Sequence, residues 1–526
     1  MASSRAFALL LLFCALASSC EVAFSYFPVP PATKEDFLGC LVKEIPPRLL
    51  YAKSSPAFPA VLGQTIRNSR WSSADSVKPL YIITPTNASH IQSAVLCGRR
   101  NGVRIRVRSG GHDYEGLSYR SLQPENFAVV DLNLMRSVWV DGKARTAWVN
   151  SGAQLGELYY AISKASSTLA FPAGVCPTIG VGGNLAGGGF GMLLRKFGIA
   201  AENVVDVKVV DANGKLLDKS SMSADHFWAV RGGGGESFGI VVSWQVKLQP
   251  VPPTVTIFKI AKAVSEGVVD IVNKWQSVAP QLPADLMIRV IAMGSKATFE
   301  AMYLGTCKTL TPLMQSKFPE LGMNASHCNE MSWIESIPFI HLGKKDSVED
   351  DLLNRNNNFK PFAEYKSDYV YQPFPKTVWE QIFNTWLVKP GAGIMIFDPY
   401  GAAISATPEA ATPFPHRKGV LFNIQYVNYW FAPEAGAAPL SWSKDMYNYM
   451  EPYVSKNPRQ AYANYRDIDL GRNEVVDDVS TYSSGKVWGQ KYFKDNYERL
   501  ALTKGKIDPT DYFRNEQSIP PLIQKY

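Results

Sequence analysis

The stretch Phe171–Gly191, FPAGVCPTIGVGGNLAGGGFG, decides how the rest of the chain is read. One cysteine, Cys176, stands at the edge of a run in which Gly180, Gly182, Gly183, Gly187, Gly188 and Gly189 leave the backbone almost bare. Glycine at that density lets backbone approach something that a Cβ would hold off. Two nucleotide patterns fail here. The dinucleotide fingerprint needs a glycine where Leu185 stands, and no Gly-Lys-Ser/Thr follows for a phosphate loop. The glycines can still form a nest of N–H groups for a pyrophosphate, or a tight turn between buried elements.

Two other glycine clusters flank this one in sequence, RSGGHDYEG (108–116) and RGGGGESFG (231–239). The first holds His112, one of six histidines, next to Gly110 and Gly111 and just after a strand-like run. Backbone passes close to a ligand at such a place. His112 and Cys176 have no second pair at metal-ligand spacing, so zinc is excluded. The G-x-S-x-G elbow of a serine hydrolase is missing, and no cysteine-protease signature surrounds Cys176.

The 526 residues suffice for two or three domains, and 46% hydrophobic with 19% charged residues is ordinary for a globular chain. The 12 Trp, 24 Tyr and 26 Phe suit a binder of flat or sugar-like ligands, although core packing also uses them. Residues 1–25, with one Arg, an apolar run from Ala6 to Ala17 and small residues at Ala23 and Ser25, read as a secretory signal peptide. The mature protein is expected to be soluble and extracellular. Of seven cysteines, Cys14 and Cys20 leave with the signal. Cys40 with Cys97 and Cys307 with Cys328 read as two local disulfides, each contributing about 3–4 kcal/mol. Cys176 is left over, either buried and inert or chemically used. Asn87-Ala-Ser and Asn324-Ala-Ser are candidate glycosylation sites.

The net charge of +8 is modest for this length. The densest basic run, RRNGVRIRVRSGGH, alternates strictly from Val103 to Arg108. That predicts a strand with one apolar and one charged face. In an exported protein a basic surface fits acidic cell-wall polysaccharide better than nucleic acid.

From Lys78 to Pro253 strands and helices follow one another, with hairpins at Asp141-Gly142 and Asn213-Gly214 and a helix around Leu155, Leu158, Tyr159 and Ile162. PVPPT at 250–254 marks a boundary. Residues 255–454 alternate long strands with helical blocks, predicting an α+β domain with a mainly antiparallel sheet covered by helices. Residues 455–526 form a C-terminal segment that ends in a helical stretch.

RSGGHDYEGLSY, CPTIGVGGNLAGGGFGMLLRKFGIAAENVVDV and NYRDIDLG together resemble the berberine bridge enzyme-like family of plant flavoproteins. More narrowly, from YFPVPPATKEDFLGC to YFRNEQSIPPLIQKY, the chain is similar to the group 4 pollen allergens of grasses. The resemblance covers essentially the whole mature chain. It implies a vanillyl-alcohol-oxidase (PCMH)-type FAD-binding domain over residues 26–254, with its core at about 75–250. It further implies a substrate domain over 255–454, and a C-terminal segment returning to the first domain. It also implies recognition by IgE.

In that family the FAD is tethered twice. His112 matches the histidine bonded to the flavin 8α-methyl, and Cys176 the cysteine bonded to ring carbon 6. The cofactor cradle so implied includes Ser109, Gly110, Gly111, Tyr114, Ile179, Gly180, Gly183, Asn184, Gly187 and Gly188, with Cys40–Cys97 as the family's N-terminal disulfide. Gln425 and Tyr465 match the active-site glutamine and the tyrosine base. Asn423 stands where monolignol-oxidising relatives have lysine, and Phe190 where they have tyrosine. A lysine there lowers the tyrosine pKa. Its loss points toward a carbohydrate oxidised at its anomeric carbon, with monolignols, or a flavin-loaded binding protein, as the alternatives. Ile179 in place of valine, and Asn184 in place of histidine, point to a dehydrogenase with an acceptor other than oxygen. No metal is expected.

Overall fold

The structure, a computed structural model, describes residues 36–72, 76–344, 348–355 and 359–523. The expected signal peptide lies outside them.

The chain enters through a short helix, α1 (Phe37–Leu41), begun by the Asp36 cap. Cys40 on it is bonded to Cys97 on α2 (Ala88–Asn101). Asn87 caps α2 at its start, and Gly102, at φ +64°, stops it. This helix covers a four-stranded sheet of β1 (Leu50–Ala52), β2 (Tyr81–Ile83), β3 (Arg104–Arg108) and β4 (Phe127–Asp131), in the order β1-β2-β4-β3. The pairs β2–β4 and β3–β4 are parallel.

A five-stranded antiparallel sheet follows. It contains the predicted hairpin of β5 (Val138–Asp141) and β6 (Thr146–Asn150), with β8 (Val204–Val210), β9 (Leu216–Leu217) and β10 (Ile240–Lys247), in the order β5-β6-β10-β8-β9, while β7 (Leu169–Ala170) lies outside it. β7 pairs with β11 (Gln249–Pro250). Helix α3 (Leu155–Ala165) packs here through Leu155, Leu158, Tyr159 and Ile162, the residues its periodicity singles out.

Residues 255–430 supply a seven-stranded antiparallel sheet. Its strands are β12 (Val255–Ala263), β13 (Leu286–Met293), β14 (Lys296–Tyr303), β15 (Asn329–Met331), β16 (Phe362–Val370), β17 (Ile394–Pro399) and β18 (Phe422–Trp430), in the order β15-β12-β14-β13-β17-β18-β16. One face is covered by helices that bury Trp275, Trp379 and Trp442 against it. The other packs into one core with the five-stranded sheet and α3. Helix α4 (Val181–Ala186) in the glycine-rich stretch and α5 (Trp333–Leu342), across from it, line that junction. The last helical stretch is two helices, α6 (Tyr482–Phe493) and α7 (Asn496–Ile507).

The arginine face of β3 is not a surface. Arg104, Arg106 and Arg108 are 8%, 2% and 0% exposed. Arg106 pairs with Glu125 at 2.9 Å and with Glu516 at 3.1 Å, and Arg108 pairs with Asp131 at 2.7 Å. Arg104 donates to the carbonyls of Asp511 and Tyr512. Alternation predicts the two faces of the strand but not what covers them. Here the C-terminal residues 511–516 fold back over the charged face, so β3 offers no basic patch to a wall polysaccharide.

Candidate active site

The site forms where the glycine clusters meet the open face of the seven-stranded sheet. The chain leaves β3 through Ser109, whose hydroxyl donates to the Ser151 carbonyl at 2.5 Å. The backbones of Gly110 and Gly180 then press together, and a Cβ on either would overlap the other. Their contact sets the two glycine clusters side by side and brings His112 to Cys176. Thr178 joins them, with its hydroxyl 3.1 Å from His112 Nε2 and 3.4 Å from Cys176 Sγ. Burial, reinforced by the nearby Arg67 guanidinium, holds the His112 pKa down at about 3, so its imidazole is neutral. Burial raises the Cys176 thiol, but the influence of His341 and the hydrogen bond with Thr178 outweigh it and leave its pKa below the usual value. Cys176 is the free cysteine among the described residues, and Cys307 is bonded to Cys328.

Beyond Ile179, half-buried against the core, α4 carries Gly183 and Asn184. A Cβ on Gly183 would meet nothing within 4 Å, so the backbone there borders open space. Gly187 and Gly188 end the helix, Gly188 at φ +117°. The segment after Ala461 clamps this run. Gly189 N donates to the Tyr462 hydroxyl at 2.8 Å, and Asn464 Nδ2 donates to the Asn184 carbonyl at 3.0 Å. Asn184 Oδ1 is buried with no partner among the described residues. A bare-backbone cradle holding an unsatisfied acceptor fits a group that brings its own hydroxyl or N–H donors, as the ribityl chain of FAD does.

The opposite wall is the sheet. β18 presents Asn423, Gln425, Val427 and Tyr429 on one face by strand alternation. Gln425 Nε2 donates to the Tyr114 hydroxyl at 2.6 Å, and Tyr114 stacks on Tyr365 of β16 at 3.6 Å between ring centroids. Tyr465 lies 5.8 Å from Tyr114, 6.1 Å from Phe190 and 4.9 Å from Tyr462, all between ring centroids. Burial raises both Tyr114 and Tyr465 well above the usual tyrosine pKa.

Sequence reasoning passed over Asp398 on β17, which stands in register with Asn423. It is 4% exposed, and burial lifts its carboxyl to about 6 although Arg289 pulls the other way. Its charge is the first electrostatic influence on Tyr465 after burial. Arg289 is itself tied to Glu300, and Glu300 to Lys259, so a polar row crosses the sheet beneath the site. Asn423 is fully buried and donates to the Asp368 carbonyl at 2.9 Å. Thr178, Arg67 and His341 were also passed over. Thr178 was legible inside the quoted stretch. His341 and Asp398 come from remote elements and carry no local motif.

The fold and the cradle are those of an FAD-linked oxidoreductase. The FAD binding domain family matches residues 79–220, and the berberine and berberine like family matches residues 461–520. The berberine bridge enzyme-like protein Cyn d 4 of Cynodon dactylon is 69% identical over 99% of this chain and 100% of its own length. The crystal structure of Phl p 4, described as a grass pollen allergen with glucose dehydrogenase activity, superposes with a TM-score of 0.93 at 88% identity, over 93% of this chain and 100% of that one. Berberine bridge enzyme of Eschscholzia californica superposes with a TM-score of 0.88 at 37% identity, over the same shares of the two chains. The chain belongs to the berberine bridge enzyme-like family.

Proposed function

We propose that this protein is a secreted dehydrogenase that oxidises a CH–OH group of a glucose-like carbohydrate, at the anomeric carbon, with FAD bonded to both His112 and Cys176. The observation that carries the reading is the pairing of a neutral His112 with Cys176 through Thr178, directly across from the Tyr114–Gln425 hydrogen bond and Tyr465.

Bound FAD would supply a hydride acceptor at its ring nitrogen N5. The rest falls to the chain. A neutral imidazole keeps a lone pair free to bond carbon, and the lowered Cys176 pKa favours the thiolate that does the same. Gln425 and Tyr114 offer amide and hydroxyl groups to orient a substrate hydroxyl. Tyr465 is held as a neutral phenol, so it works as a base only if its own proton has somewhere to go. Asp398, ionised above about pH 6, supplies the negative charge that draws the proton toward that side. No cation stands at position 423 to sharpen the base, which suits the acidic hydroxyl of an anomeric carbon better than an ordinary alcohol.

Ile179 supports an acceptor other than dioxygen. Phl p 4 is described as a glucose dehydrogenase. Its variant with a single isoleucine-to-valine change is described as a glucose oxidase, and its variant with a single asparagine-to-histidine change as a glucose dehydrogenase. The two altered positions are five apart, as Ile179 and Asn184 are. We assign the oxygen barrier to Ile179 and give Asn184 the lesser part. Likeness to pollen allergens supports IgE recognition of this chain. Asn87 and Asn324, both exposed at helix starts, are proposed to carry glycans.

Acid precipitation with peptide mapping tests the attachment. Colour on a cross-linked pair of peptides containing His112 and Cys176 is expected, and flavin free in the supernatant overturns it. Anaerobic glucose should bleach the flavin spectrum. Bleaching by cinnamyl-type alcohols alone would overturn the substrate class.

A further inference from the structure

Strand alternation divides the five-stranded sheet into two faces. Ala147, Val149, Val207 and Val246 point inward and join the core that also holds α4 of the flavin cradle. The opposite face carries a different set. Trp139, Trp148, Gln245 and Asp206 stand in register across it, one each on β5, β6, β10 and β8. Trp139 is 61% exposed, and no other described tryptophan is as open to water. Trp148 and Gln245 beside it are half-buried. A large indole left in water on a sheet face is costly unless something covers it.

The charges around these rings are of one predominant sign. Lys208 lies two residues beyond Asp206 on β8, and its Nζ sits over the Trp148 ring, 5.4 Å from the centroid. That contact holds the ammonium at the ring instead of letting it sweep through solvent. Lys247 lies two residues beyond Gln245 on β10, and Lys143 and Arg145 occupy the turn of the β5–β6 hairpin, all three exposed. Among the described residues none of these four cations has a carboxylate within ion-pair distance. The two carboxylates on the face are engaged by backbone. Asp206 accepts from the N–H groups of Val207 and Lys219, and Asp141 from those of Lys143 and Ala144.

We propose that this face binds a polyuronide, a chain of pyranose rings with one carboxylate on each, at a place separate from the flavin cradle. The C–H face of a pyranose packs on an indole, and the cations beside it take the carboxylates. Neighbouring strands are about 4.8 Å apart, close to the length of one pyranose ring. A chain laid across the strands therefore meets Trp139, Trp148 and Gln245 in turn, with Lys208 and Lys247 along its side. A neutral glucan would cover the rings and leave four cations unused. A polyanion without sugar rings would use the cations and leave Trp139 in water.

The test measures binding of the purified flavin-loaded protein to immobilised polygalacturonate, with a neutral β-glucan and polyglutamate as comparison polymers. Wild type should bind polygalacturonate the most tightly of the three, and less tightly as salt rises. Trp139→Ala should weaken binding about tenfold with the salt dependence unchanged. Lys208→Gln combined with Lys247→Gln should weaken it and flatten the salt dependence. All variants should keep the wild-type flavin spectrum and thermal midpoint, which separates lost binding from lost fold. Polyglutamate bound as tightly as polygalacturonate, a neutral glucan bound more tightly, or no binding of polygalacturonate by the wild type overturns the proposal. Self-association that is lost in Trp139→Ala while polygalacturonate binding is unchanged also overturns it, and assigns the face to a second copy of the chain.

Discussion

Arg108 and Asp131 meet at 2.7 Å with side chains 0% and 2% exposed, across the parallel pair β3–β4 directly beneath the turn that carries His112. Arg108 also donates to the carbonyls of Leu62 and Val61. A buried pair contributes little beyond its own desolvation cost, but removing one partner strands the other charge. Asp131→Ala should therefore destabilise the protein by about 3–5 kcal/mol in denaturant unfolding. A loss below about 1 kcal/mol, the range of surface pairs, would mean that the pair is solvated.

Asp398 sets an acid limit on turnover. Its carboxyl titrates near 6 in the folded protein, so activity should fall as the pH drops through 6 and the charge facing Tyr465 is lost. The sign for stability is the reverse. A carboxyl whose folded pKa is raised takes up its proton more readily when folded, so its contribution diminishes as the pH rises from about 4 to about 6. Asp398→Asn should lower kcat by about 10²-fold and remove the acid limb from the kcat profile. An unchanged limb assigns it to another group.

Ile179→Val should speed flavin reoxidation by dioxygen at least tenfold, an effect of about 1.4 kcal/mol, whereas Asn184→His alone should change it little. Stopped-flow mixing of the reduced protein with aerated buffer measures both. Equal effects from the two variants would place the barrier elsewhere.

Gly180→Ala should weaken cofactor retention without any backbone strain of its own. Gly180 has an ordinary φ of −68°, so the penalty is the contact of the new Cβ with the Ser109 hydroxyl and the Gly110 backbone. Pushing the two glycine clusters apart should cost about 1–3 kcal/mol and separate His112 from Thr178. Flavin content per protein and thermal midpoint report the two effects. Full flavin loading with an unchanged midpoint would refute the close packing.

Local chemistry made much of this legible. The hairpins at Asp141-Gly142 and Asn213-Gly214 and the spacing in α3 are short-range features, and the structure has them. His112 and Cys176 announced themselves by glycine neighbours and an odd cysteine count. What eluded the sequence is what distant segments do to one another. The alternation on β3 gave both faces, but only Glu516 and Asp131 reveal that the charged face is inside. Asp398 gains its meaning from Asn423 on the neighbouring strand and from Tyr465 in the C-terminal segment.

The ion pair between Arg106 and Glu516 joins residues 410 positions apart, and Asn464 closes on Asn184 across 280. During synthesis the amino-terminal half emerges first and can begin to fold first. Its arginine strand and glycine-rich stretch must then wait for residues made hundreds of positions later. The flavin cradle is consequently assembled only once the segment from Asn464 to Glu516 has been made, so cofactor loading waits on that segment. A truncation that removes only the final dozen residues should abolish it.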